Sequence, residues 1–387
     1  MPTQRITARD IDSGYALDVR IENGIFAAIV PSTTKTDVRA FIAPTLCDIQ
    51  VNGYAGVDFQ RDGVSADDLH RVASELLKSG CSQILLTLIT DDWGALTARL
   101  RRLRKLRDAS PELTRAFPGW HIEGPFLSAE PGFRGAHEPS VMIDPTPEKI
   151  HELRKLTGND PLLLTMAPER AGALECIALA TSRELGVRVS CGHTNASAET
   201  LAAAARAGAT LFTHLGNGCP QQLDRHDNIL WRVINTPGLA PGIIPDMIHV
   251  SPMLFRILHR EMAQRLYLTT DCMSAAGAPP GRYSIGKFDV EVGADKVVRQ
   301  PGKTNFAGSA LTPIEGVMRS ARMLDASWRT TWATFSTRPR ELMGISGGIK
   351  IGAEATFCLL EPSGEQVRMR VFVAGVEKHA ELVGVEV

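Results

Sequence analysis

The chain alternates eight short β-rich runs with amphipathic runs that have the spacing of helices. Strands that alternate with helices of about 10–15 residues form βαβ units and a parallel sheet. Eight such units over about 300 residues predict a closed TIM-like (β/α)8 barrel rather than an open sheet. The predicted strands are Ile42–Gln50, Gln83–Leu88, Gly119–Glu123, Leu162–Met166, Val187–His193, Thr210–His214, Gly242–Asp246 and Leu266–Asp271.

Both ends of the chain have a different pattern, with short alternating runs interrupted by glycine and proline. Such runs are typical of antiparallel strands. We expect residues 1–43 and 346–387 to pair into one small β-sandwich domain, and residues 44–345 to form the barrel. A chain of 387 residues with 44% hydrophobic residues is large enough to bury a core in both.

Charge and cysteine content exclude several classes of protein. The 42 basic and 43 acidic residues nearly cancel, which argues against a nucleic-acid binder. The basic run Arg99–Arg107 has apolar residues at helical spacing, so we interpret it as the solvated face of one helix. The seven cysteines contain no C-x-x-C pair. Without a signal peptide or a long apolar run, a cytoplasmic protein with no membrane partner is expected.

Residues that bind metals or transfer protons stand at the ends of four predicted strands. Glu123 ends the third strand, His193 the fifth, His214 the sixth and Asp271 the eighth. Each alone is more commonly a polar loop residue, but functional residues of such barrels lie where strands end. We therefore expect the four side chains to meet at one rim.

The residue types at this rim indicate a chemistry. One carboxylate and two imidazoles suit Zn²⁺ or Fe²⁺ with a coordination position left open. An aspartate beside that position can act as a general base. The pattern predicts metal-assisted hydrolysis.

Several segments together resemble N-acetylglucosamine-6-phosphate deacetylases, which belong to the amidohydrolase superfamily. The resemblance covers almost the whole chain, in the order in which that family has these segments. The matching segments are Pro44–Phe59, His121–Leu127, Arg134–His137, Met166–Glu169, Ser190–Asn195, Thr213–Gly218, Gly242–Val250, Thr270–Gly277 and Ala307–Leu311.

The resemblance implies a role for each matched polar residue. Glu123, His193 and His214 would bind one divalent metal per subunit, most simply Zn²⁺, with Fe²⁺ as the alternative. Asp271 would activate water and then protonate the leaving amine. His137 would polarise the acetamide carbonyl of the substrate.

The end of the first predicted strand differs from that of many amidohydrolases, which have His-x-His there and bind a second metal. This chain has Gln50 and Asn52 at that place. Neutral amides are poor ligands for Zn²⁺, so one metal is expected, with both amides near it and its water.

The resemblance also implies a substrate and an assembly. His249, Asn217 and Gly218 would contact an amino sugar, and Arg225 would bind its 6-phosphate from a neighbouring subunit, so a homodimer is expected. The implied reaction converts N-acetylglucosamine 6-phosphate to glucosamine 6-phosphate and acetate. The sequence around Arg225 and His249 departs from the common form of the family.

Alternatives remain open at this point. The substrate can be a non-phosphorylated or galacto-configured sugar, or an amide that is not a sugar. A non-catalytic protein that kept the barrel is a further alternative, although all four rim residues are present. Relatives that hydrolyse cyclic amides usually have His-x-His and a modified lysine, and this chain has no lysine at any predicted strand end.

Overall fold

A computed structural model describes residues 3–34, 37–301, 308–364 and 366–384. Among the family-like segments, Ala307 lies outside these ranges. The strands, in chain order, are β1 Gln4–Asp10, β2 Ala16–Glu22, β3 Ile25–Pro31, β4 Phe41–Pro44, β5 Leu46–Val51, β6 Gly53–Tyr54, β7 Val57–Asp58, β8 Cys81–Ile89, β9 Gly119–Glu123, β10 Leu162–Met166, β11 Arg188–Cys191, β12 Leu211–Phe212, β13 Ala240–Ile243, β14 Tyr267–Leu268, β15 Gly281–Ile285, β16 Phe288–Val292, β17 Val298–Arg299, β18 Phe357–Ser363, β19 Gln366–Val373 and β20 Val376–Gly384.

Eight strands form the parallel sheet of a TIM-like barrel, which confirms the predicted fold class. Their order is β14-β13-β12-β11-β10-β9-β8-β5, so each strand pairs with its neighbour along the chain. The sheet closes where the end of β5 meets the chain after β14, through a bridge between Val51 and Cys272. Strands with parallel neighbours are buried on both faces, which explains why β9 and β10 are buried at every position.

Buried polar contacts connect β5 to the chain after β14. The Asp48 carboxylate accepts hydrogen bonds from the Thr269 hydroxyl at 2.5 Å, and from the Thr270 amide and hydroxyl at 3.0 and 2.6 Å. Burial raises the pKa of Asp48 to about 6, although these hydrogen bonds act in the opposite direction. Asp48 therefore fastens the two ends of the barrel sheet together.

Eleven α-helices lie within the described residues, together with a short 3₁₀ helix at Pro139–Val141. Most begin after a Ser, Thr, Asp or Asn that caps the first turn; Ser65, for example, forms a capping box with Asp68. The helices are α1 Ala66–Lys78, α2 Trp93–Asp108, α3 Pro111–Ala116, α4 Pro147–Thr157, α5 Ala173–Ala180, α6 Ala198–Ala207, α7 Ile229–Ile234, α8 Pro252–Met262, α9 Pro313–Leu324, α10 Trp328–Phe335 and α11 Thr337–Met343. No helix in the described ranges combines the length and apolar character needed to cross a membrane.

Helix α2 corrects the interpretation of the basic run as a solvated face in part, since Arg101 and Lys105 are exposed but two arginines are buried. Arg99 and Arg107 are 7% and 2% exposed. Arg99 pairs with Asp91 at 3.1 Å, and Arg107 pairs with Asp160 at 2.7 Å. Buried guanidinium groups need such partners, and the spacing of apolar residues within one helix cannot reveal them.

Strands from both chain ends form the predicted β-sandwich domain. Seven strands make one hydrogen-bonded sheet in the order β20-β19-β18-β4-β1-β2-β3. Its separate core includes Phe26, Ile42, Phe357 and Phe372. The predicted first strand, Ile42–Gln50, is in fact two strands, because the chain leaves the sandwich at β4 and enters the barrel at β5.

One insertion was not anticipated from the sequence. After the last barrel strand, β15, β16 and β17 form a separate antiparallel sheet. The turn between β15 and β16 contacts the barrel, where the amide of Gly286 donates a 2.9 Å hydrogen bond to Asp58 and Lys287 pairs with Asp91 at 3.0 Å. This sheet therefore lies at the same end of the barrel as the loops after β5 and β8.

Candidate metal and catalytic site

The strand-end residues Glu123, His193 and His214 meet in one buried cluster, called the metal cluster below. Oε1 of Glu123 lies 3.3 Å from Nε2 of His193 and 3.0 Å from Nε2 of His214, and the two nitrogens are 3.1 Å apart. Burial alone would raise the pKa of Glu123, but hydrogen bonds with the two imidazoles lower it well below its usual range. Among the described residues, this is the one group of His, Cys, Asp and Glu close enough to hold a metal.

The backbone at the strand ends is strained where it presents these side chains. His193, His214 and Asp271 have φ angles of +49°, +31° and +49°. Residues other than glycine rarely adopt this left-handed conformation, and such strain concentrates at functional sites. These three residues with this conformation are two members of the metal cluster and Asp271.

The donor set of the metal cluster fits a divalent cation such as Zn²⁺ or Fe²⁺. Nδ1 of His193 donates a 2.8 Å hydrogen bond to the carbonyl of Phe133, which leaves the lone pair of Nε2 facing the cluster. Nδ1 of His214 is buried without a partner in the described structure, so Nε2 is the nitrogen placed for coordination. One carboxylate and two imidazole nitrogens are the ligands of many catalytic zinc sites.

The amides at the end of β5 connect the metal cluster to Asp271. Nε2 of Gln50 donates to Oε1 of Glu123 at 3.0 Å, and Nδ2 of Asn52 donates to Oδ1 of Asp271 at 2.8 Å. No described residue hydrogen-bonds Oδ2 of Asp271. Burial, followed by repulsion from Glu123, raises the pKa of Asp271 to about 7. The structure therefore brings both amides and Asp271 to the metal cluster.

His137 lies beside this cluster, as its predicted role requires. Its ring centroid is 4.4 Å from that of His193, with the ring planes nearly perpendicular. Nδ1 of His137 is 2.8 Å from the Thr90 hydroxyl. Burial, followed by the nearby His193, lowers the pKa of His137 to about 3, so its imidazole is neutral at neutral pH.

The predicted substrate-binding residues differ in whether they contact the metal cluster. Gly218 packs on the metal cluster, since a Cβ there would lie 3.1 Å from ring atoms of His193 and His214. The neighbouring Asn217 donates its backbone amide to the carbonyl of His214 at 2.9 Å. Both residues therefore lie at the mouth of the site.

Two further predicted residues lie farther along the chain. His249 is held by Asp246, whose carboxylate is 2.6 Å from Nδ1 of the ring. Arg225 is on the exposed loop 219–228, where its Nε contacts the neighbouring His226 at 3.0 Å. Among the described residues, no contact joins Arg225 to the metal cluster.

Three contributors to the site were missed from the sequence. Thr90 directly follows the second barrel strand and contacts His137, so the strand-end criterion would have found it had hydroxyl residues been considered. Asp246 follows the seventh strand in the same way. The Phe133 carbonyl carries no sequence signal, because any residue supplies a carbonyl.

Sequence identity with a known deacetylase shows the family of this chain. The N-acetylglucosamine-6-phosphate deacetylase of Danio rerio is 32% identical over 341 residues, which cover 83% of this chain and 80% of that protein. The chain belongs to the N-acetylglucosamine-6-phosphate deacetylase family. The resemblance stated from sequence segments is thereby confirmed.

A second relative and a solved structure are also similar to this chain. The N-acetylgalactosamine-6-phosphate deacetylase of Escherichia coli O157:H7 is 27% identical, covering 89% of this chain and 90% of that protein. A crystal structure of N-acetylglucosamine-6-phosphate deacetylase from Pasteurella multocida superposes with a TM-score of 0.85 at 23% identity, covering 98% of this chain and all of that one, and shows the shared fold. No protein-family model matches the chain.

Proposed function

We propose that this protein hydrolyses the acetamide of N-acetylglucosamine 6-phosphate to give glucosamine 6-phosphate and acetate. The observation that carries the proposal is the buried metal cluster with Asp271 held beside it, in a chain of the deacetylase family. Amide hydrolysis needs an electrophilic aid at the carbonyl oxygen and a base for water, and this site provides residues for both.

One divalent cation per subunit, Zn²⁺ or Fe²⁺, would be held by Glu123, His193 and His214. Such a cation acts as a Lewis acid and makes water a better nucleophile at neutral pH. Gln50 keeps Glu123 in place, and the Phe133 carbonyl keeps the His193 ring in the coordinating tautomer.

Asp271 and His137 would carry out the remaining steps. Asn52 fixes Oδ1 of Asp271, so Oδ2 is the atom that takes a proton from water as the water attacks the acetamide carbon. The same oxygen then gives the proton to the amine nitrogen as the C–N bond breaks. His137 donates from Nε2 to the acetamide oxygen, where negative charge develops.

Recognition of the sugar 6-phosphate would involve Asn217, Gly218, His249 and Arg225. Arg225 lies on an exposed loop, and no hydrogen bond or ion pair among the described residues joins it to its own site. We propose that this arginine reaches the site of a neighbouring subunit in a homodimer. A guanidinium forms bidentate hydrogen bonds with phosphate, which suits this role.

A galacto-configured substrate is the second candidate. The Escherichia coli relative that carries the name N-acetylgalactosamine-6-phosphate deacetylase matches over 89% of this chain. Both candidates share the same chemistry at the metal cluster and differ only in how the sugar is held.

Acetate release from a panel of four sugars tests the proposal: N-acetylglucosamine and N-acetylgalactosamine, each with and without the 6-phosphate. Purified protein is loaded with Zn²⁺ or Fe²⁺, and kcat/KM is compared. We expect N-acetylglucosamine 6-phosphate to have the highest value. A higher value for either free sugar would refute the phosphate assignment, and no acetate from any of the four would refute the proposed function.

A further inference from the structure

The Thr90 hydroxyl lies between the imidazole of His137 and the backbone carbonyl of Glu123. Thr90 follows strand β8, and its hydroxyl oxygen lies 2.8 Å from Nδ1 of His137 and 3.2 Å from the carbonyl oxygen of Glu123. The glycine at position 124 leaves room for this oxygen, because a Cβ there would overlap it. Thr90 is 9% exposed, so water competes little for the hydroxyl.

The Thr90 hydroxyl can donate its single proton to only one of these two neighbours at a time. The choice determines which nitrogen of His137 carries the hydrogen. A carbonyl oxygen only accepts hydrogen bonds, whereas a neutral imidazole has one donor and one acceptor nitrogen. If the proton goes to Glu123, Nδ1 of His137 must be the donor, and Nε2 carries no hydrogen. If the proton goes to Nδ1, the hydrogen of the imidazole is on Nε2.

Only one of these arrangements supports catalysis. An acetamide oxygen accepts hydrogen bonds, so a neutral His137 can polarise it only when Nε2 carries the hydrogen. The contact with Nδ1 is the shorter of the two made by the hydroxyl, and the need for a hydrogen on Nε2, not this distance, sets its direction. We propose that Thr90 is a positioning residue whose hydroxyl donates to Nδ1 of His137 and thereby fixes the Nε2–H tautomer. The catalytic part of this inference rests on the proposed function.

The matched variants Thr90→Ser and Thr90→Val separate the hydroxyl from the shape of the side chain. Serine keeps the hydroxyl, and valine keeps the branched shape without a donor. We expect Thr90→Val to lower kcat for N-acetylglucosamine 6-phosphate by about 10–100-fold with KM changed less than threefold, since one positioned hydrogen bond is lost. Thr90→Ser should stay within about fivefold of the wild type in kcat.

A second measurement reads the tautomer directly and does not depend on turnover. ¹⁵N NMR of histidine-labelled, zinc-loaded protein distinguishes a protonated from an unprotonated ring nitrogen, and His137→Gln assigns the signal. We expect an Nε2–H ring in the wild type and in Thr90→Ser, and a loss of that preference in Thr90→Val. Equal metal content and melting temperature across the variants confirm that each is folded and loaded.

The outcomes separate this inference from the proposed function. A wild-type His137 with its hydrogen on Nδ1, or an unchanged tautomer in Thr90→Val, would overturn the inference. Near-normal kcat in Thr90→Val would also overturn it. If the wild type releases no acetate from any sugar while the tautomer follows Thr90 as expected, the proposed function fails and the structural role of Thr90 stands.

Discussion

The metal cluster and the loop 219–228 are both at the barrel mouth, yet the chain builds them in opposite ways. Glu123, His193 and His214 are each at most 5% exposed and are attached to strand ends. Arg225 is exposed, and its guanidinium contacts only the next residue among those described. The barrel positions the groups proposed for bond breaking, whereas a loop carries the group proposed for the phosphate.

This difference has a physical reason. Charge development in a transition state is stabilised only by groups that are already fixed, so the reacting end benefits from strands and buried hydrogen bonds. A loop tolerates sequence change, which lets related enzymes vary the part of the substrate that they recognise. Variants of the cluster should therefore affect kcat or metal content, and variants of the loop should affect KM.

Asp271→Asn should have the largest effect. Asparagine keeps the shape and can still contact Asn52, but it cannot accept and return a proton at neutral pH. We expect kcat to fall by about 10³–10⁴-fold with metal content unchanged. Steady-state kinetics and elemental analysis on the same preparation check both parts, and near-normal turnover would show that another group is the base.

His193→Ala tests whether the cluster holds the metal. Removing one of three protein ligands should weaken metal affinity by about 100-fold or more, and activity should fall in proportion to occupancy. Metal per chain is measured after gel filtration in metal-free buffer. His151→Ala, on the exposed face of α4, is the matched control and should keep wild-type occupancy. Full occupancy in His193→Ala would contradict the assignment.

Arg225→Ala tests the phosphate-binding role proposed for the loop 219–228. Losing a charged hydrogen bond to phosphate should raise KM for the 6-phosphate sugar by about 10–100-fold while kcat changes little. KM for the free sugar should not change. An effect on kcat alone would place Arg225 with the cluster instead of with the phosphate.

Mixed dimers decide which subunit supplies the arginine. If Arg225 acts in the neighbouring site, combining Asp271→Asn with Arg225→Ala creates one intact site per mixed dimer. Random mixing should then recover about a quarter of the wild-type activity at low substrate concentration. No recovery on mixing, with subunit exchange verified by differently tagged chains, would mean that each arginine serves its own site.

The sequence predicted the part of the site that is built from strand ends. Glu123, His193, His214 and Asp271 were identifiable because strands of alternating β/α units end at one rim, whatever the loops do. Partners brought together by tertiary folding gave no such signal, as the 2.8 Å contact of His193 with the Phe133 carbonyl illustrates. The insertion that contains β15 and β16 was missed because an exposed hairpin lacks the continuous apolar run of a barrel strand.

Asp48→Asn should have the smallest effect on catalysis. The variant tests whether this buried carboxylate of the barrel has a structural role and no catalytic one. Asp48 fastens β5 to the chain after β14 and contacts neither the metal cluster nor Asp271 among the described residues. Asparagine should leave kcat within about threefold of the wild type. The change should instead appear in the free energy of unfolding and its dependence on pH.

The sign of that dependence follows from the raised pKa of Asp48, about 6 in the folded protein against 3.8 for an ordinary aspartate. Between these values the folded state binds more protons than the unfolded state, so its stability falls as pH rises. The unfolding free energy of the wild type minus that of Asp48→Asn should therefore be largest below pH 4. It should decrease by about 3 kcal/mol as pH rises through 6, and remain constant above that.

Urea titrations of both proteins from pH 4 to 7.5 measure this difference, in which the other titrating groups cancel. A difference that grows with pH would mean that the hydrogen bonds from Thr269 and Thr270 outweigh the cost of burying the charge, and the ionised carboxylate would then stabilise the closure of the barrel.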